Sequence, residues 1–120
     1  MKIFFDGGYR PAGMELAVVA GGRTTVERDL GPGSSMDAEW LALIAALERA
    51  QALGVADAVL LGDAAAVIAQ ASGRVRCPHA YRPHFERFHA LPRPPGGVRI
   101  RYIKRTQNLS GIALAALHAR

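Results

Sequence analysis

The stretch Lys2-Ile3-Phe4-Phe5-Asp6-Gly7-Gly8 constrains this chain more than any other. Three apolar β-formers in a row read as a strand buried on both faces. The strand runs into a carboxylate, and two glycines then end it. A charge there is costly unless the strand opens onto water, a partner or a metal. A lone Asp-Gly is also an ordinary turn cap. The second apolar run, Val59-Leu60-Leu61-Gly62-Asp63, ends the same way, so two strands each deliver a carboxylate at their carboxyl ends.

Between them lies a meander. Residues 9–13 read as a turn, 15–20 as a second strand, Gly21-Gly22 as a hairpin turn and 23–30 as a third, more polar strand at an edge. Gly31-Pro32-Gly33 breaks the pattern. Ser34 with Asp37 three residues on is a capping-box signature, opening a helix expected to reach Leu53 and close at Gly54. That helix is apolar on two sides, so it is sandwiched between other elements, and Glu39 in its first turn faces the core. Residues 56–61 form the fourth strand and 64–71 a short helix. Residues 78–91 have mixed helical character. Residues 98–103 alternate as a fifth strand, with Arg99 and Arg101 on the face opposite Val98, Ile100 and Tyr102. A last helix runs from Asn108 to the end. His79, His84 and His89 recur every five residues, a spacing that does not gather ligands on one helical face. They read as surface or half-buried side chains.

This order makes the acids converge. The meander brings the third strand back to the end where the first finishes, so the long helix starts there with Glu39. A helical crossover lets the fourth strand lie parallel beside the first. Neighbouring strands are about 4.8 Å apart, which makes Asp6 and Asp63 neighbours with Glu39 overhead. Three carboxylates so placed oppose one another's ionisation. A divalent cation relieves that repulsion, and ligation by oxygen alone points to Mg²⁺ or Mn²⁺.

The chain resembles type 1 ribonuclease H over nearly its whole length. The likeness rests on Phe5-Asp6-Gly7, on Ala38-Glu39 after Ser34-Ser35, on Gly62-Asp63 before a helix carrying Val67, Ile68 and Gln70, and on Arg105-Thr106-Gln107-Asn108 before the last helix. The resemblance implies an α/β, ribonuclease H-like fold: a mixed five-stranded sheet of a three-strand antiparallel meander plus two parallel strands, flanked by helices. It also implies cleavage of the RNA strand of RNA–DNA hybrids with two metal ions. Asp6 would bridge both, with Glu39 and Asp63 completing the set. The family's fourth carboxylate lies in Asn-x-x-Ala-Asp-x-Leu-Ala, which here reads Asn108-Leu109-Ser110-Gly111-Ile112-Ala113-Leu114-Ala115. Ile112 stands where that acid belongs and cannot ligate a metal, so one ion would be weakly held, with water or Asn108 at the missing position. The paired Asn residues before the Glu are Ser35 and Met36 here. Gly7, Gly8, Tyr9, Ser35, Arg99, Arg101, Lys104 and Arg105 are the substrate-binding candidates.

Charge is divided along the chain. Residues 1–63 carry five Lys/Arg and nine Asp/Glu, a net −4, whereas residues 64–120 carry ten and one, a net +9. A basic half beside an acidic one suits a polyanion with a bound cation. The 120 residues are enough for one domain, spanning 1–120. No apolar run reaches membrane-spanning length and no signal-peptide pattern opens the chain. The single Cys77 has no partner for an internal disulfide, and a reducing cytoplasm is expected. Three readings follow: a metal-dependent ribonuclease with an incomplete acidic set, a non-catalytic RNA–DNA hybrid or RNA-binding module, and a structural, partner-binding domain. Oligomeric state is not legible.

Overall fold

The computed structural model describes residues 1–118. Strands β1 (Lys2–Arg10), β2 (Gly13–Ala20) and β3 (Arg23–Glu27) precede helix α1 (Ser35–Leu53). Strand β4 (Ala58–Gly62), helices α2 (Ala65–Ala71) and α3 (Arg82–Ala90), strand β5 (Val98–Tyr102) and helix α4 (Leu109–Leu117) follow. One sheet holds all five strands in the order β3-β2-β1-β4-β5. β1, β2 and β3 pair antiparallel, while β4 lies parallel to β1 and to β5. This is the mixed sheet expected from the sequence. The expectation that the last helix continues to residue 120 extends past the described residues, since 119 and 120 lie outside them.

Local chemistry sets α1. The Ser34 side chain accepts from the Asp37 backbone N–H at 3.0 Å, and the Asp37 carboxyl accepts from the Ser34 N–H at 2.9 Å. Together these satisfy two of the orphan donors at the helix start. Gly54 closes the helix in the left-handed conformation at φ 64°. Both apolar sides are used, with Leu43, Ile44 and Leu47 fully buried between sheet and α3. Trp40, also fully buried, donates its indole N–H to Gln70 at 3.2 Å and packs edge-on against Phe85 and Phe88 of α3.

The strand ending at Gly7-Gly8 needs correction. β1 continues to Arg10, because β2 pairs with it throughout: Gly7 opposite Leu16, Gly8 opposite Glu15, Tyr9 opposite Met14. What stops near Asp6 is the other neighbour, β4, whose last pair with β1 is Leu61 with Phe4. Asp6 therefore faces the gap left where the parallel neighbour departs. The histidines hold helices together rather than gathering on a ligand. His84 Nε2 meets Asp37 Oδ1 at 2.9 Å, His89 Nε2 meets the Ala71 carbonyl at 3.1 Å, and His79 is exposed.

The faces of the sheet differ. Ile3, Phe5, Leu16, Val18 and Leu60 point into the core beneath α1, α2 and α3. Lys2, Phe4, Asp6, Val19, Leu61, Arg99 and Arg101 take the alternate positions on the other face. Among the described residues the helix that packs there is α4, mainly over β1, β2 and β3. Among the described residues no helix is long and apolar enough to cross a membrane.

Candidate metal centre

Two glycines let the acids approach. A Cβ on Gly7 would fall inside the Ala38 carbonyl, so only glycine lets the first turn of α1 rest on β1. That contact puts Glu39 over the strand, where its Oε1 accepts from the Gly7 N–H at 2.6 Å. At Gly62 a Cβ would lie 2.5 Å from the Phe5 ring, so glycine also lets β4 close against β1 before releasing Asp63.

Asp6, Glu39 and Asp63 each offer an oxygen, and the three oxygens lie within 4.8 Å of one another. Segments separated by 33 and 24 residues thus meet at one point, as the strand order requires. Burial is the main cause of raised carboxyl pKa values: Asp6 is pushed up to about 7, reinforced by the Asp63 charge, and Glu39 to about 8, reinforced by the Asp6 charge. The Gly7 N–H and the Arg105 guanidinium act in the opposite direction on both. Two half-buried acids held partly protonated beside a third form a donor set short of positive charge. Its all-oxygen composition fits a hard divalent cation such as Mg²⁺ or Mn²⁺.

Asn108, fully buried at the start of α4, ties that helix to the centre. Its Nδ2 donates to the Phe5 carbonyl at 3.0 Å and to Asp63 Oδ1 at 2.9 Å. Its Oδ1 accepts from the Ser110 N–H at 3.1 Å and caps α4. With that oxygen engaged, Asn108 orients Asp63. Arg105 stands on the solvent side with its Nε 3.9 Å from Asp63 Oδ2 and a side chain 92 % exposed.

The acids open into a cleft of about 670 Å³ running between the end of β1 and α4. Gly7, Gly8, Tyr9, Ser35 and Arg105 line it, and so does Ile112. Ile112 is 52 % exposed, so the residue in place of the fourth acid does face the cleft. Its neighbour Gly111 lies against the acidic cluster, since a Cβ there would be 3.5 Å from Asp6 Oδ2. Lys104, Arg99 and Arg101 are exposed and lie outside the cleft lining.

The sequence reading missed Glu15. It is only 3 % exposed, lines the far end of the same cleft, and meets His118 Nε2 at 2.7 Å. Arg10 and Arg28 flank it at 3.7 and 3.5 Å. A carboxylate opening the otherwise apolar run Leu16-Ala17-Val18-Val19-Ala20 was the available signal. Its partners, one of them 103 residues away, were not.

A sheet of this order, flanked by helices and with three carboxylates at the gap beside its central strand, defines an α/β class with an acidic site at its strand ends. The chain belongs to the reverse transcriptase-like family, a ribonuclease H-like grouping, which it matches over residues 19–118. Solved structures agree. RNase H1 from the halophilic archaeon Halobacterium salinarum NRC-1 is 28% identical, with TM-score 0.78, covering 98% of each chain. The N-terminal RNase H domain of rv2228c from Mycobacterium tuberculosis, solved as a fusion with maltose-binding protein, is 27% identical, with TM-score 0.76, covering 94% of this chain and 93% of that one. LC11-RNase H1 in complex with an RNA/DNA hybrid shares the fold at 20% identity and TM-score 0.73, covering 90% and 88%. No curated protein matches by sequence.

Proposed function

We propose that this protein cleaves the RNA strand of RNA–DNA hybrids, using divalent metal held by Asp6, Glu39 and Asp63. The observation that carries the proposal is the meeting of those three carboxylates within 4.8 Å at the mouth of an open cleft. Relatives that share the fold at 27 and 28% identity are described as RNase H domains. Bound Mg²⁺ or Mn²⁺ would supply an activated water and stabilise the leaving oxygen. The chain's own residues do the rest. The Gly7 N–H and Asn108 Nδ2 aim Glu39 and Asp63 inward. Gly7 and Gly8, without side chains, let a sugar–phosphate strand come close to β1. Ser35 in the first turn of α1 offers a hydroxyl near that helix's positive end, Tyr9 an exposed ring, and Lys104 and Arg105 charge for phosphates.

Ile112 favours a second reading, a hybrid-binding module without turnover, because it leaves the acidic set one ligand short. A gel assay on end-labelled hybrid with each metal decides between them. Cleavage by the wild type that is lost in Asp6→Asn is the expected result. Hybrid binding with no cleavage in either metal would establish the binding module instead.

A further inference from the structure

Among the described residues α4 packs mainly on β1, β2 and β3, so the face of the sheet that carries Asp6 has no helix seated over β4 and β5, although Leu61 there is buried among its neighbours. Pairing puts its side chains in two rows. Phe4, Leu61 and Arg101 form one, and Lys2, Val59 and Arg99 the other. Phe4 and Val59 are half-buried, and Lys2, Arg99 and Arg101 are exposed. Among the described residues none of these three cations pairs with a carboxylate. Among the described residues the acids on this side of the sheet are the cluster Asp6, Glu39 and Asp63 and, at the far end of the cleft, Glu15, which Arg10, Arg28 and His118 already engage. Phe4 lies two residues before Asp6 on the same side of β1. The bare face is thus continuous with the cleft.

We propose that this face is a platform for single-stranded nucleic acid running on from a hybrid held in the cleft. The inference rests on the proposed function for its duplex part and on the open face for the rest. Charge selects a polyanion: three unpaired cations stand on one surface, with Arg99 and Arg101 about 6.6 Å apart along β5. An aromatic ring and an aliphatic side chain at the level of the sheet, between those cations, select an unpaired strand. A duplex hides the faces of its bases, whereas a single strand can lay one on Phe4 while its phosphates meet the arginines.

Fluorescence anisotropy in chelator, where cleavage is stopped, tests this on the full chain. The probes are a blunt hybrid, the same hybrid with a thymidine overhang, and the same with an abasic overhang of equal length. The thymidine overhang is expected to tighten binding about fivefold or more, the low end for one base stacked on an aromatic ring. The abasic overhang is expected to give less than about half of that gain. In the double variant Arg99→Gln, Arg101→Gln, both side chains being exposed, the ratio of overhang to blunt affinity should fall to about one. A wild-type ratio near one, an advantage that survives in the double variant, or an abasic overhang as good as thymidine overturns the platform. Displacement of the overhang probe by polyglutamate as readily as by oligothymidine also overturns it, and assigns the face to an acidic protein. Binding of oligothymidine through Arg99 and Arg101 without binding of blunt hybrid would keep the platform and remove the hybrid-cleft reading. No binding of any probe removes both.

Discussion

Neutralising one acid should stabilise the metal-free protein at high pH. Glu39 holds its proton up to about 8 in the folded chain, mainly through burial and then through the Asp6 charge. The unfolded chain loses that proton near the ordinary value of 4.5. Between these values the folded state binds more protons, so stability is highest below the lower value and falls as pH rises through the upper one. The displacement corresponds to roughly 5 kcal/mol undiscounted. Residual solvent access at this half-buried carboxyl reduces it to something on the order of 2 kcal/mol. For a chain of this size that is roughly 6–10 °C in melting temperature. Asp6→Asn removes the largest charge acting on Glu39 and the raised carboxyl of Asp6 itself. In chelator the variant should therefore melt above the wild type at about pH 9, and with it near pH 5. Titrating groups remote from Asp6 are common to both proteins and cancel in the difference. Mg²⁺ should raise the wild type by several degrees and the variant hardly at all. The assay is a set of thermal melts followed by circular dichroism. Parallel curves for the two proteins across that range, with no effect of metal on either, would refute mutual repulsion at the centre.

Three further outcomes are expected. Ile112→Asp should lower the Mg²⁺ needed for hybrid cleavage and raise the rate, measured as a metal titration of initial rates. Because Ile112 is 52 % exposed, the large destabilisation of a buried acid is not expected, and the melt should shift by less than about 1 kcal/mol. Gly7→Ala should cost about 3 kcal/mol or more, because the added methyl would occupy the Ala38 carbonyl and push α1 off β1; a denaturant titration measures it. Asn108→Ala should cost on the order of 2–3 kcal/mol, losing the cap of α4 and leaving the buried Phe5 carbonyl unpaired. Its metal affinity should fall as well, read by calorimetric titration, because Asp63 loses the donor that orients it.

The meeting of Asp6, Glu39 and Asp63 was legible because it follows from order alone. Two hydrophobic runs, a hairpin meander and a capped helix admit few connections, and a parallel fourth strand beside the first brings the three acids to one end. Helix α1 was legible for a different reason. Ser34, Asp37 and Gly54 act on backbone groups only a few residues away, so its bounds at Ser35 and Leu53 are written locally. The far end of β1 was not. Gly7 and Gly8 carry the local signal of a strand end, yet pairing with Leu16 and Glu15 overrides it. Glu15 gives no local hint of its partners, because His118 meets it only once α4 has folded across β1 and β2. Arg99 and Arg101 were placed correctly on one side of β5 by alternation, but what that side faces depended on how far α4 reaches. The sequence by itself determined which elements form, their order and which carboxylates share an end, because those depend on neighbours along the chain. It did not fix every strand end, since β3, expected over residues 23–30, stops at Glu27 where its pairing with β2 runs out. Tertiary structure alone decided where β4 departs from β1, what lies over each face of the sheet and how deeply each acid is buried, because burial and pairing are set by segments far apart in sequence.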